Sequence, residues 1–293
     1  MNDCFASRQT PWPGSIAVYR SPEETGFALQ ALVEAPAILG LTESELPAGP
    51  PSRFDRATRL QVAVDGGQLS SISTIQLLGG QNVAAVRNSE GDWEVLQYAR
   101  AELVGVGVYE LSDLLRGQAG TENTMQTAVP PGSPFVLLDS SLIALPQTLA
   151  DIGLAYTCRY VPACRYIGDR SFASTTHAFM GIGLRPFAPA HLRGVRSAPI
   201  PGDVQITWVR RTRVGGDSWD VVEVPLGETN EAYEIEVLDD GVVKRTLHST
   251  TSEVVYSLTD QAADFGTPRL SYQIRVYQLS AVLGRGSPAE AIV

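Results

Sequence analysis

Leu270-Ser-Tyr-Gln-Ile-Arg-Val276 alternates apolar and polar residues over its whole length, the longest such run in the 293-residue chain. A period of two puts Leu270, Tyr272, Ile274 and Val276 on one face of a strand and the polar residues on the other. The flanking sequence repeats the pattern. Upstream, Val204, Ile206 and Trp208 alternate with Gln205 and Thr207, and Tyr233, Ile235 and Val237 do the same. Asp239-Asp240-Gly241 then turns the chain into Val242, Val243 and Arg245. Val254, Tyr256 and Leu258 alternate again, and Ala281 to Ile292 supplies a closing strand around Gly284-Arg285-Gly286. Six or seven short strands with turn signals in about 95 residues predict a β-sandwich over 203–293.

Trp208 on an early strand and Tyr272 on a late one resemble the core pair of fibronectin type III domains. Gly284-Arg-Gly-Ser-Pro288 resembles that family's final turn. Ahead of the sandwich, Pro186, Pro189, Pro199 and Pro201 crowd a short stretch, which marks 191–202 as a stiff domain linker.

Residues 1–190 read as a β-rich region of short strands. Ile16, Val18 and Tyr19 begin one; Phe27, Leu29 and Ala31 fit a second loosely. Leu60, Val62 and Val64 alternate before an Asp65-Gly66 turn. Val83, Ala85 and Arg87 lead into a hairpin loop at 88–92, and Trp93, Val95 and Gln97 return with period two. Ala101, Leu103 and Val104 precede a Gly105-Val106-Gly107 turn, and Val108 to Leu111 follows. Three β segments so close together predict a small sheet or barrel. Asp113 to Gly117 reads as a helical turn and 121–134 as a surface loop. Phe135–Leu138 and Leu142–Leu145 are short apolar runs; Tyr156–Tyr160 and Tyr166–Ile167 read as extended.

Hydrophobic residues make up 44% and charged residues 18%, enough apolar material for folded cores and against disorder of the whole chain. The net charge of −10 repels phosphate backbones, so no direct nucleic-acid partner is expected. No apolar run reaches the roughly 18 residues of a membrane span, and 1–10 lack the apolar core of a signal peptide. The chain is therefore expected to be made in the cytoplasm or to be a piece of something longer. Cys158 and Cys164 have no second pair to make a zinc site; buried thiols are expected, and a local disulfide is the alternative.

The chemistry-bearing residues form no catalytic pattern. His177, His191 and His248 are the three histidines, and no Gly-x-Ser-x-Gly elbow accompanies them. His177 reads as part of a polar loop, His191 of the linker and His248 of a sandwich strand. The acidic pairs Glu23-Glu24, Glu43/Glu45 and Asp239-Asp240 read as solvated turns. Gly66-Gly67, Gly79-Gly80 and Gly181-Ile182-Gly183 match no phosphate loop. No catalytic residue, cofactor or metal is expected. Among the aromatics, Trp93 reads as core, and Trp219, beside Gly215-Gly216-Asp217, is the candidate interaction residue.

Ala101-Glu-Leu-Val104, Tyr109-Glu-Leu-Ser112 and above all Leu115-Arg-Gly-Gln-Ala-Gly-Thr-Glu122 resemble a phage tail family, with Asp217-Ser-Trp219 and Val224-Pro-Leu-Gly227 adding to the likeness. Together they resemble the C-terminal region of the large tail-tip protein of gene transfer agents, phage-like particles made by some α-proteobacteria. The resemblance implies a homotrimeric tail hub or baseplate component at the particle's tail tip, contacting neighbouring tail and baseplate proteins. Presentation of a host-attachment surface is the further expectation. The alternative is a carbohydrate-binding or adhesin module meeting envelope polysaccharide. Members of that family carry an upstream domain similar to glycoside hydrolase barrels; this chain has no eight βα repeats, so no catalytic residue carries over.

Overall fold

A computed structural model describes residues 12, 14–49, 53–199, 201–215 and 224–293; Trp219 lies outside the described residues. The chain is mainly β and divides into two units, 1–182 and 183–293.

The first unit opens with β1 (Ile16–Ser21) and β2 (Ala28–Val33), an antiparallel pair. The chain then leaves this sheet to build a second structure from β3 (Leu39–Thr42), β4 (Phe54–Asp55), β5 (Leu60–Asp65), α1 (Thr74–Leu78), β6 (Val83–Arg87), β7 (Trp93–Gly105), β8 (Val108–Gln118) and β9 (Pro134–Leu137). Strand order is β8-β5-β3-β9-β6-β7, and β7 pairs back onto β8, so six strands close a barrel. β4 lies beside the far half of β8. Closure leaves no open edge among those six strands. The interior holds Leu60, Val62, Ala84, Val86, Leu96, Tyr98, Leu111, Leu114 and Phe135, all buried. At Gly40 in β3 an added Cβ would stand 2.3 Å from the Ala63 carbonyl oxygen, so only glycine lets β3 lie this close to β5.

After the barrel the chain returns to the first sheet. β10 (Ala155–Pro162) pairs with the free side of β1, and β11 (Ala173–Ala178) pairs with β10. The result is a four-stranded antiparallel sheet, β11-β10-β1-β2, with the barrel inserted between its second and third strands in chain order.

The second unit contains β12 (Ala190–Arg196), β13 (Val204–Val209), β14 (Tyr233–Asp239), β15 (Val242–Ser249), β16 (Glu253–Tyr256), α2 (Leu258–Phe265), β17 (Gln273–Ser280) and β18 (Gly284–Ile292). They form a three-stranded sheet, β12-β13-β16, and a four-stranded sheet, β15-β14-β17-β18. Three strands facing four in that order make a fibronectin type III-like sandwich. Trp208 and Tyr272 are both core: Trp208 meets Tyr233 edge-on at 5.0 Å, and Tyr256 meets Tyr272 at 5.2 Å. The Tyr272 hydroxyl, just ahead of β17, accepts from the Arg269 N–H at 2.7 Å and donates to Gln261 Oε1 at 3.0 Å. That is the tyrosine corner of such sandwiches.

Several local expectations change. The stretch 191–202 is not a linker: 190–196 is the first sandwich strand, paired with β13 from Ala190↔Val209 to Arg196↔Val204. The prolines flank that strand and leave its interior free to pair. Asp113–Gly117 is strand, not a helical turn. Asp113 sits at φ +53°, which shifts the side-chain alternation so that Tyr109 and Leu111 before it and Leu114 and Arg116 after it are all buried. In sequence, that shift imitates helical spacing. Tyr166–Ile167 lies in turns, and Leu258 starts a helix capped by Ser257 instead of ending a strand. Leu270 is exposed, so the buried alternation begins at Tyr272. Cys158 is buried as expected; Cys164 is exposed, in the turn after β10.

Candidate interaction surfaces

The run Leu115–Glu122 folds as the fastening of the barrel. Arg116 points inward and its guanidinium forks onto Glu94 of β7, with Nε to Oε1 and Nη2 to Oε2 both at 2.8 Å. Nη1 donates to the Pro47 carbonyl at 2.6 Å. Both side chains are essentially inaccessible to water, at 1% and 0% exposure. The Gly117 N–H adds a further donor to Glu94 Oε1 at 3.4 Å, and it is the bidentate geometry with these extra bonds that lets an ion pair this dry hold. Gly117 takes φ +63°, and a Cβ there would stand 2.4 Å from Met125 Sδ. Ala119 and Gly120 also take positive φ and turn the chain. The Thr121 hydroxyl then donates to the Gln118 carbonyl and accepts the Val95 N–H at 3.0 Å. The run that carries the tail-protein resemblance is therefore spent on holding the barrel's own strands together.

The outside of the barrel offers apolar side chains. The β7–β8 hairpin ends in Leu103, Val104 and Val106, exposed by 64, 51 and 104%. Leu41 lies opposite Ala63, Ala63 opposite Val108, and Val108 opposite Gly105. The residues next to this row, Val62 and Tyr109, face the core, so the row faces out. Leu41 is itself exposed. Leu103, opposite Tyr109, lies on the inner side of the hairpin, so the tip shows apolar side chains on both of its sides and the row extends them over the outer face. Glu102 opposite Glu110 sets a charged border to it.

The sandwich presents a different face. On the outer side of β15-β14-β17-β18, Glu234 lies opposite Tyr277, and Glu236 opposite Arg275. Arg285 stacks over the Tyr277 ring at 4.7 Å, reaches Glu236 at 2.9 Å and contacts Glu234. Arg275 binds Glu290 at 2.6 Å. Burial, followed by the nearby Glu236 charge, raises the Tyr277 hydroxyl above its usual range. The face is a mesh of charges closed on itself around one aromatic ring.

The residues singled out in the sequence do not converge. His177 lies in strand β11, not in a loop, and its Nε2 is 3.0 Å from Thr175 Oγ1. His191 is exposed on β12 and His248 on β15. Glu23, Glu43 and Glu45 are exposed, and Glu24 pairs with Arg159 at 3.2 Å. Asp239 is held by Arg269 at 2.6 Å and Lys244 at 3.6 Å. Trp93 is half-buried at the start of β7 and does not point into the barrel; Glu94, Leu96 and Tyr98 take the inward face. Among the described residues, no cluster of His, Cys, Asp and Glu could hold a metal, and no helix is long and apolar enough to cross a membrane. Sequence reading missed Glu94, which nothing local distinguishes from a surface glutamate.

Residues 37–136, about a third of the chain, match a family described as Rcc01698-like, C-terminal. The match coincides with the barrel, from just before β3 to the end of β9, and is consistent with a protein related to gene transfer agents. No curated protein sequence matches the chain. Among solved structures, the chain is similar to domains d3–d4 of the rat CD45 extracellular region: 13% identity, 53% of this chain and 71% of that one, TM-score 0.27. It is also similar to a two-domain fibronectin type III segment of chicken tenascin: 9% identity, 86% and 98% coverage, TM-score 0.26. Likenesses this low carry no argument, and the sandwich assignment rests on its strand order.

Proposed function

We propose that this chain is a structural part of a phage-like tail tip, working by association and not by catalysis. It would associate with itself, as a homotrimer, and with neighbouring tail and baseplate proteins. The observation that carries the reading is the apolar end of the barrel. Leu103, Val104 and Val106 stand in solvent on a hairpin whose own barrel is closed and needs no further packing. Apolar side chains grouped this way support a protein contact. The tail-protein resemblance of the same region gives that contact its setting.

A second reading, attachment to envelope polysaccharide, has the Tyr277 face on its side: the carboxylates and guanidinia around the ring, which Arg285 itself covers, suit sugar hydroxyls. On the main reading the sandwich serves as the outward module.

The test is a triple substitution, Leu103→Glu, Val104→Glu and Val106→Glu, in cells that make the particle. The exposed positions should tolerate the charges, so the purified protein should melt as the wild type does, while completed tails disappear. Normal assembly with the triple variant would overturn the reading. Deleting 183–293 should leave tails intact and reduce attachment to cells; loss of tails would make the sandwich a building part instead.

A further inference from the structure

The molecule treats its open sheet edges in two ways. An unpaired edge strand is a template for another chain, and stable monomers guard it with charge, proline or brevity. The sandwich guards all four of its edges. β12 carries Arg193 and Arg196, and β15 carries Lys244 and Arg245. β16 is four residues long and contains Glu253; β18 contains Arg285, Pro288 and Glu290. The sheet that embraces the barrel insertion guards neither edge. β2 reads Ala-Leu-Gln-Ala-Leu-Val and β11 reads Ala-Ser-Thr-Thr-His-Ala, six residues each with no lysine, arginine, carboxylate or proline. Among the described residues, no backbone hydrogen bond reaches the outer side of either strand.

We infer that these two edges are made for each other across copies: β2 of one chain pairs with β11 of the next. Direction supports this. Consecutive strands of β11-β10-β1-β2 are all antiparallel, so the two edge strands run in opposite senses. Laid side by side, β2 and a neighbour's β11 continue the antiparallel alternation with no break. The lengths match at six residues. The exposed side chains also share a face: Ser174 lies opposite Arg159, Arg159 opposite Tyr19, and Tyr19 opposite Leu29. A foreign partner would satisfy one edge, whereas a second copy satisfies both. The contact is head-to-tail, so repetition closes a ring or grows a filament according to the rotation per step. On the self-association proposed above, on which this inference rests, it closes a ring of three.

The test uses the full chain and two variants. One carries Leu29→Lys and Leu32→Lys on β2; the other carries Ser174→Lys on β11. All three positions are exposed, so melting and circular dichroism should match the wild type. Sedimentation or mass photometry should find the wild type assembled and each variant monomeric. Mixing the variants should give one-to-one dimers and nothing larger, because one intact β2 and one intact β11 remain in the mixture. A wild type that stays monomeric overturns this inference and the self-association together. An assembled wild type whose variants also assemble overturns only the edge assignment. Monomers from the β2 variant alone would replace head-to-tail pairing with a symmetric β2 contact.

Discussion

The barrel and the sandwich are each fastened by polar groups, but they place them at different depths. In the barrel the fastening is a fully dry ion pair, Glu94 with Arg116, drawn into the interior beside Leu96 and Leu114. In the sandwich the dry groups at the corner are neutral, Gln261 and Tyr272, and each ion pair keeps one partner open to water, as Arg245 is beside the covered Asp264. Arg196 reaches inward to Gln261 Oε1 at 2.9 Å, and Arg245 forks onto Asp264 at 2.6 and 2.9 Å. A dry pair has no water to fall back on, whereas a half-open pair has. The same kind of contact should therefore be worth very different amounts in the two units.

The largest effect expected is at Arg116. Arg116→Met leaves Glu94 charged and unpaired in the barrel and should cost about 3–5 kcal/mol, seen as a lower urea midpoint of the first unit. The double variant Glu94→Leu with Arg116→Met should recover most of that loss, since apolar replacement of a whole buried pair is often neutral. If the double variant is as weak as the single, the pair holds the barrel by geometry and not by charge balance. Next comes Tyr272→Phe in the sandwich. It strips an acceptor from the Arg269 N–H and a donor from Gln261, a loss of about 1–3 kcal/mol. A loss matching that of Arg116→Met would erase the contrast.

The smallest effect is at Asp264 and depends on pH. Burial pushes the Asp264 carboxyl up, but hydrogen bonds from Arg245 and Tyr256 outweigh it and hold the group below its ordinary 3.8. A carboxyl depressed in the folded state stabilises fully above its unfolded value and loses that contribution as pH falls through the folded one. The sandwich should thus keep this increment at pH 7 and shed it below about pH 4. Melting scans from pH 7 to pH 2 should show a shallower acid decline for Asp264→Asn than for the wild type. An unchanged decline would place the acid sensitivity elsewhere.

The sequence carried these regions unequally. The sandwich is legible because each strand buries one face, so Val204-Ile206-Trp208 and Tyr272-Ile274-Val276 announce themselves. Its first strand is hidden, because prolines on both sides mask Ala190–Arg196. In the barrel, β7 is buried on both faces over part of its length. Val95 and Gln97 are covered from outside while Leu96 and Tyr98 fill the interior, so no alternation reveals which side is in. The fastening is harder still to read. Glu94 and Arg116 meet across a separation of 22 residues, and the left-handed Asp113 reverses the face on which Arg116 would be expected. Trp219 lies outside the described residues, so its part in any contact rests on the sequence alone.

The insertion of the barrel into the four-stranded sheet also sets an order of events during folding. Ile16 in β1 pairs with Pro162 in β10, contacts that span nearly the whole first unit. Closing so long an unstructured loop is entropically costly and slow. The β7–β8 hairpin and the other barrel pairings are mostly nearer in sequence, and the barrel can close before β10 exists. Once it has, the chain between β2 and β10 is no longer a long floppy loop but a folded body with its two ends fixed. The β1–β10 seam is then short to close, and β11 follows. A chain truncated after residue 150 should therefore already protect barrel amides from hydrogen exchange while the side of β1 that β10 covers remains open.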